Sequence, residues 1–300
     1  MKQIGFIGLG AMGRHVSANL LKAGYPLKVY DISTAAVEEL VSKGAVAAGC
    51  AKEAAEGSDI VMTMLPNAPH VEAAMTGPDG ILAGLQAGGT IIDLTTLAPG
   101  EAKRLCKLAA DSGVTMLDAP VSGGVAGAEG GTLSLFVGGD EATFNSVMPI
   151  FEAIGKTIRL LGGSGAGQTV KMVNQIMVGL EITALAEAWT LGVKAGADPE
   201  ILCDVLGTGA AACKQMEIIR RSILQGNYEP GFAVNLQYKD LGIAMETSRE
   251  LQVPMLLTST AVQYFEMARA MGYGGKDHSS VAKVLENITG VNISAAKKQK

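Results

Sequence analysis

The chain has 300 residues, 48% of them apolar and 18% charged, with 39 glycines, few aromatics and a net charge of −5. That length holds two domains or one large one, and the mix excludes a disordered chain or a fibre while suiting glycine-turned α/β units. The mild acidity offers no counterpart to nucleic acid or an anionic membrane, and four scattered cysteines with three histidines argue against a metal site and for free thiols in a reducing cytoplasm.

The N-terminus enters a strand-like run at once, so no signal peptide is read there. The first strand, Ile4–Ile7, runs into Gly8-Leu9-Gly10-Ala11-Met12-Gly13, then a helical pattern over Met12–Lys22 and a second strand, Leu27–Tyr30. GxGxxG alone is a weak signal in so glycine-rich a chain, but strand, glycine loop, helix and strand in this order is what a dinucleotide fold requires. Gly8 permits the tight turn, Gly10 lets the backbone approach a pyrophosphate, and Gly13 lets helix and strand pack closely, with the helix N-terminus facing the phosphates. Asp31 ends the second strand, eighteen residues after Gly13, where an acid accepts a hydrogen bond from the adenosine ribose 2′-OH. From Ile32 through Ser42 no Lys or Arg stands ready to neutralise a 2′-phosphate, which favours NAD over NADP; Arg14 keeps NADP possible. A plain turn acid is the other reading of Asp31.

After a helical pattern at Thr34–Ser42, a third strand, Ile60–Leu65, ends in Met64-Leu65-Pro66-Asn67, and a fourth, Thr90–Leu94, in Asp93-Leu94-Thr95-Thr96. Ligands of a doubly wound sheet sit outside the carboxyl ends of its strands, so both loops are candidates to flank the cofactor, although each reads equally as a turn. A helix at Pro99–Ala110 and a strand at Val114–Leu117 lead to Asp118-Ala119-Pro120-Val121-Ser122-Gly123-Gly124. A serine followed by two glycines presents a hydroxyl and exposed N–H groups, a cradle for a carboxylate; a tight turn is the alternative. Further strands at Leu133–Val137 and Thr157–Leu161 flank a helix at Glu141–Ala153. Apolar strands alternating with helices predict a mostly parallel, doubly wound sheet of Rossmann type, covered on both faces.

Gly162 through Gly167 mark a boundary, after which strand alternation stops. The reading is an α/β domain over 1–163, an all-α domain over 164–295 and a frayed basic tail over 296–300. Helices are predicted from Gln168 to about Ala195 and over Pro199–Leu206, Lys214–Leu224, Leu236–Leu251, Pro254–Met271 and Ser279–Asn287. The most apolar stretch, Ile176 to Ala195, carries Glu181, Glu187 and Lys194 and reads as a buried helix rather than a membrane span.

A nicotinamide site implies hydride transfer at a carbonyl carbon, whose oxygen needs a proton donor. The three histidines are poorly placed. Lys171, in the apolar run Thr169-Val170-Lys171-Met172-Val173-Asn174, is the better candidate, because burial suits a lysine to proton exchange. Asn174 lies one turn on, on the same face. On helix geometry alone a snorkelling surface lysine fits as well.

The blocks Gly5 through Gly13, Asp118 through Gly124, Gly165-Ala166-Gly167-Gln168-Thr169-Val170-Lys171-Met172-Val173-Asn174-Gln175 and Lys239-Asp240-Leu241 occur in order across Ile4 to about Glu286. In this the chain resembles the β-hydroxyacid dehydrogenase family. The resemblance implies a Rossmann domain, an all-α domain that drives assembly into a homodimer or homotetramer, and a small carboxylic acid substrate. It implies Lys171 as the general acid in aldehyde reduction, Ser122, Gly123 and Gly124 as the carboxylate loop, and Asn174, with Gln175 beside it, at the substrate. It implies cofactor contacts at Leu65, Pro66, Thr96, Phe232 and Lys239, besides the glycine loop with its Leu9, Ala11 and Met12. Asn174-Gln175 resembles tartronate semialdehyde (2-hydroxy-3-oxopropionate) reductases, whereas many 3-hydroxyisobutyrate dehydrogenases have Asn-Asn there. Gly231 through Gly242 and the tail look more like 2-(hydroxymethyl)glutarate dehydrogenase. The lean is to 2-hydroxy-3-oxopropionate, with the other two substrates, succinic semialdehyde and glyoxylate as alternatives. A catalytically silent nucleotide-binding scaffold of this fold replaces the lysine, and Lys171 is present.

Overall fold

In the computed structural model, residues 1–296 are described, and the chain divides into two compact units, Met1–Lys171 and the residues from Met172 on. The first unit is built on six short strands: β1 (Ile4–Ile7), β2 (Leu27–Tyr30), β3 (Val46–Ala47), β4 (Ile60–Thr63), β5 (Thr90–Asp93) and β6 (Thr115–Asp118). They lie in the order β3-β2-β1-β4-β5-β6, and every neighbouring pair is parallel. β1, β4 and β5 are buried along their whole length, as strands covered on both faces must be. Ile4, Phe6, Ile60 and Met62 pack into the core on one face, and Ile7, Val61 and Ile91 into the core on the other. Full burial of one such side chain is worth about 1.5–3 kcal/mol, so alternate residues of the same strand hold both layers in place.

Register decides where chemistry can sit. Ile7 pairs with both Tyr30 and Thr63, Thr63 with Asp93, and Asp93 with Asp118. The carboxyl ends of five strands are therefore flush, and the chain departs to either side of β1, which makes the β1/β4 crevice the switch point.

The sheet does not extend to residue 161 as the alternation suggests. β7 (Val121–Ser122), β8 (Leu133–Val137) and β9 (Gly155–Leu160) form a separate three-stranded sheet, with β7 antiparallel and β9 parallel to β8. Strand pattern encodes burial but not partner. The clue lies in β8, whose Ser134 and Phe136 are only half-buried, unlike the core strands. Helices at Ala51–Ala55, Ile81–Gly84 and Gly124–Glu129 are too short for a 3.6-residue period to repeat, so the sequence pattern does not announce them, and Ala68–Met75 is a further helix that it does not announce.

Among the described residues of the second unit, the regular elements are all helices. The helix Ala166–Lys194 begins in the first unit and supplies Ile182, Ala186 and Trp189 to the core of the second, with Leu241, Phe265 and Val281. Among the described residues it is the one helix long and apolar enough to cross a membrane by length and composition. Trp189 donates its indole N–H to the Pro199 carbonyl at 3.2 Å, at the start of helix Pro199–Leu206. The expected helix over Lys214–Leu224 is instead a short turn, Met216–Ile218, that widens into a π-helical turn, Ile219–Ile223. Helices Val234–Glu250, Leu256–Ala270 and Val281–Thr289 follow, and Ile293–Ala296 closes the described chain. Of the expected tail, Ala296 is helical and 297–300 lie outside the described residues.

Candidate active site

The glycine loop has the stereochemistry its spacing suggests. Gly8 adopts φ +97°, and a Cβ there would stand 2.3 Å from the Met64 carbonyl oxygen. A Cβ on Gly13 would stand 2.0 Å from the Gly8 carbonyl oxygen, so helix Gly13–Lys22 starts this close to β1 only with glycine. Gly10 and Ala11 are exposed, and a Cβ built on Gly10 meets nothing within 4 Å. Open space above an exposed backbone at a helix N-terminus is the shape a pyrophosphate needs, so these residues fit a dinucleotide. Leu9 and Met12 face the core side, Leu9 fully buried.

Asp31 is held by both of its carboxylate oxygens. Its Oδ2 accepts the Leu9 N–H at 2.6 Å and its Oδ1 the Ser33 N–H at 2.8 Å, tying the end of β2 to the glycine loop.

At the ends of β4 and β5 lies a buried network that sequence reasoning misses. Thr63 Oγ1 and the Thr95 N–H both donate to Asp93 Oδ1, at 2.8 and 3.0 Å, and Thr95 Oγ1 accepts the Leu65 N–H at 3.0 Å. Asp93 Oδ2 is buried without a hydrogen-bond partner among the described residues. Burial therefore pushes the Asp93 carboxyl from 3.8 up to about 6, over the opposing hydrogen bonds of Thr95 and Thr63, with the neighbouring Asp118 carboxylate adding to the rise. A raised acid favours the fold in its protonated form; that contribution is full below 3.8 and lost as pH climbs through about 6. Asp93→Asn cannot ionise. Relative to the parent it should gain about 2.5 kcal/mol of stability between about pH 4 and about pH 8, read by chemical unfolding at both, and a pH-independent difference would contradict this assignment.

Gln168 joins the same loops to the start of the long helix. Its side-chain oxygen accepts the Leu97 N–H at 2.9 Å and its Nε2 donates to the Thr95 carbonyl at 2.7 Å. Asp118, at the end of β6, accepts the Gly165 N–H at 2.7 Å and the Gln168 N–H at 3.0 Å, capping the helix entry. Both residues stand in the motif blocks; only their hydrogen bonds reveal the task.

Ser122 is half-buried at the end of β7, and Gly123 and Gly124 follow with φ +135° and +62°, conformations that expose backbone where a side chain would be strained. Lys171 keeps only 5% of its surface, which removes the solvated-lysine alternative. Asn174 is half-buried one turn further along the same helix, and Gln175 is buried. Leu65 and Thr96 are half-buried and Pro66 exposed at the β4 and β5 ends. Cys106, behind this region, is held protonated by burial, its thiol pushed up to about 11.

In the second unit, Phe232 is half-buried on a turn fixed by Asp277, whose Oδ2 accepts the Gly231 and Phe232 N–H groups at 3.0 and 3.3 Å. Its ring meets the edge of His278 at 5.9 Å. Lys239 is half-buried on helix Val234–Glu250, with its ammonium 3.2 Å from Asp240. Among the described residues, no group of three or more His, Cys, Asp or Glu side chains is placed to hold a metal ion.

Comparison with known proteins agrees with this geometry. Residues 3–163 match the family model described as the NAD-binding domain of 6-phosphogluconate dehydrogenase. Residues 165–285 match that described as NAD-binding of NADP-dependent 3-hydroxyisobutyrate dehydrogenase. The chain is 44% identical over 293 residues to a 2-(hydroxymethyl)glutarate dehydrogenase of Eubacterium barkeri, covering 97% of each chain. It is 41% identical over 284 residues to a 2-hydroxy-3-oxopropionate reductase of Escherichia coli, covering 95% of this chain and 97% of that one. A solved Mycobacterium tuberculosis 3-hydroxyisobutyrate dehydrogenase with L-serine superposes with a TM-score of 0.87 at 32% identity, over 95% of this chain and 99% of the other.

Proposed function

This chain belongs to the β-hydroxyacid dehydrogenase family, and we propose that its substrate there is 2-hydroxy-3-oxopropionate, reduced at the aldehyde carbon with NADH. It is an NAD(P)-dependent oxidoreductase of CH–OH groups. The observation that carries the reading is Lys171, an amine buried to 5% exposure one helical turn before Asn174 and just after the segment clamped by Asp118 and Gln168.

When bound, NAD(H) supplies or takes the hydride. In reduction, the Lys171 ammonium donates a proton to the carbonyl oxygen as negative charge develops there, and in oxidation the neutral amine takes it back. The Ser122 hydroxyl and the N–H groups of Gly123 and Gly124 hold the substrate carboxylate, and the Asn174 amide orients the carbon that bears the reacting group. Leu65, Pro66, Thr96, Phe232 and Lys239 are assigned to the cofactor. The Asp31 carboxylate supports NADH over NADPH, since it repels a 2′-phosphate. Asp31→Ala should lower the NADH-to-NADPH ratio of kcat/KM about tenfold, the worth of a hydrogen bond to a charged group, and an unchanged ratio removes Asp31 from cofactor selection. The same proposal places the enzyme in the cytoplasm as a homodimer or homotetramer, supported by four thiols outside any disulfide and by exposed Leu256 and Leu257.

A spectrophotometric screen tests the substrate: NADH and NADPH oxidation against tartronate semialdehyde, methylmalonate semialdehyde, succinic semialdehyde, glyoxylate and 2-formylglutarate. Tartronate semialdehyde should give the highest kcat/KM. The 44% identity to the 2-(hydroxymethyl)glutarate enzyme favours a second reading, and 2-formylglutarate outrunning the rest would establish it in place of the first.

A further inference from the structure

Gln175 does not open toward a ligand. It is buried at 3% exposure, and its amide hydrogen-bonds to residues of the second unit. Its Nε2 donates to Asp240 Oδ2 at 2.7 Å and reaches Gln237 Oε1 at 3.4 Å. Gln237, fully buried, donates its own Nε2 to the Gln175 backbone carbonyl at 2.8 Å. Gly179 makes room for this arrangement, since a Cβ there would lie 2.8 Å from Gln237 Nε2. On its other edge, Gln175 Oε1 accepts an N–H from Asn174 Nδ2 at 2.8 Å.

Donor and acceptor identities propagate along this chain. The Asp240 carboxylate, beside the Lys239 ammonium at 3.2 Å, only accepts. The Gln175 edge that faces it must then be NH2, which turns the Gln175 oxygen toward Asn174. An oxygen there demands an N–H, so the Asn174 amide is held in one of its two orientations, with Oδ1 as the outward acceptor. We propose that Gln175 and Asp240 are positioning residues that fix the Asn174 amide so that its oxygen selects substrates carrying a hydrogen-bond donor, hydroxyl or ammonium, on C2, over those carrying an alkyl group. An aliphatic C2 substituent leaves that oxygen desolvated and unmatched, and a site built to bond a polar group discriminates strongly against the analogue that lacks it. The inference rests on the proposed function, which puts Asn174 at the substrate.

Four stable acids, oxidised with NAD+, separate the possibilities: glycerate with a C2 hydroxyl, serine with an ammonium, 3-hydroxyisobutyrate with a methyl and 3-hydroxypropionate with hydrogen. The parent enzyme should prefer glycerate or serine over 3-hydroxyisobutyrate at least about tenfold in kcat/KM, and the first two arms tell which donor the site takes. Gln175→Leu, which deprives Asn174 of its acceptor, should collapse that ratio at least about fivefold, through KM for the donor-bearing acid more than through kcat for the methyl acid. The double variant Gln175→Glu with Asp240→Asn restores an acceptor facing Asn174 with the donor order reversed, and should restore the ratio. Calorimetric Kd values for glycerate and 3-hydroxyisobutyrate should move in parallel. A parent that prefers the methyl acid, or a ratio untouched by Gln175→Leu, overturns the relay while leaving the proposed function intact. Oxidation of none of the four acids, together with failure of the aldehyde screen, overturns both.

Discussion

Lys171→Ala should lower kcat by about 10²–10⁴, the usual worth of a positioned proton donor, while NADH affinity, measured by fluorescence titration, stays within about twofold. In the proposed reaction the carbonyl oxygen gains charge as the hydride arrives, and an ammonium with 5% of its surface in water would deliver its proton without competition from solvent. Lys171→Arg keeps the charge but holds its proton far too firmly to exchange it near neutrality, so it should rescue little of the loss. The pH profile separates this role from a structural one: in the parent, the oxidative direction requires the neutral amine and rises with pH, and in Lys171→Ala that limb should vanish. Loss of nucleotide binding with ordinary residual turnover would move the acid elsewhere.

Gly13→Ala should cost about 4 kcal/mol or more, because a Cβ 2.0 Å from the Gly8 carbonyl oxygen forces helix Gly13–Lys22 away from β1. For a unit of this size, a loss of that order lowers Tm by roughly 10 °C, and nucleotide binding should disappear with it. Gly10→Ala makes the contrast. Its Cβ meets no protein atom within 4 Å, so Tm should hold while NADH affinity falls if the pyrophosphate lies in that space as proposed. Calorimetric melting and fluorescence titration of the two variants check both halves. Equal behaviour of the two would mean that the glycines serve one purpose and that the loop geometry does not divide fold from binding.

The glycine loop is legible in the sequence because glycine is nearly the only residue that satisfies both a positive φ and a close approach, and three in the right rhythm after an apolar strand fit few folds besides this one. Asp31 is legible as an acid at the end of β2, but its bonds to Leu9 and Ser33 are not, because they depend on how near the loop returns to it. Asp93 and Thr95 read as a turn, and nothing in the string distinguishes a turn carboxylate from one sealed beneath a threonine hydroxyl. Gln168 is hidden for the same reason: its partners lie more than seventy residues away, at Leu97 and Thr95. The departure of β8 and β9 from the main sheet escapes the pattern because a strand's apolar pattern reports how much of it is buried and not which strand it pairs with.

Residue 168 also limits how this scaffold can be re-engineered. The loop after β5 does not rest on the sheet alone, since one carboxamide grips it at both Thr95 and Leu97 from the first turn of the helix that carries the lysine. A graft that exchanges that loop for a relative's, to alter nucleotide choice, would sever two anchors and let the ammonium drift. The transplantable unit is therefore discontinuous, the loop and its distant amide moved as a pair.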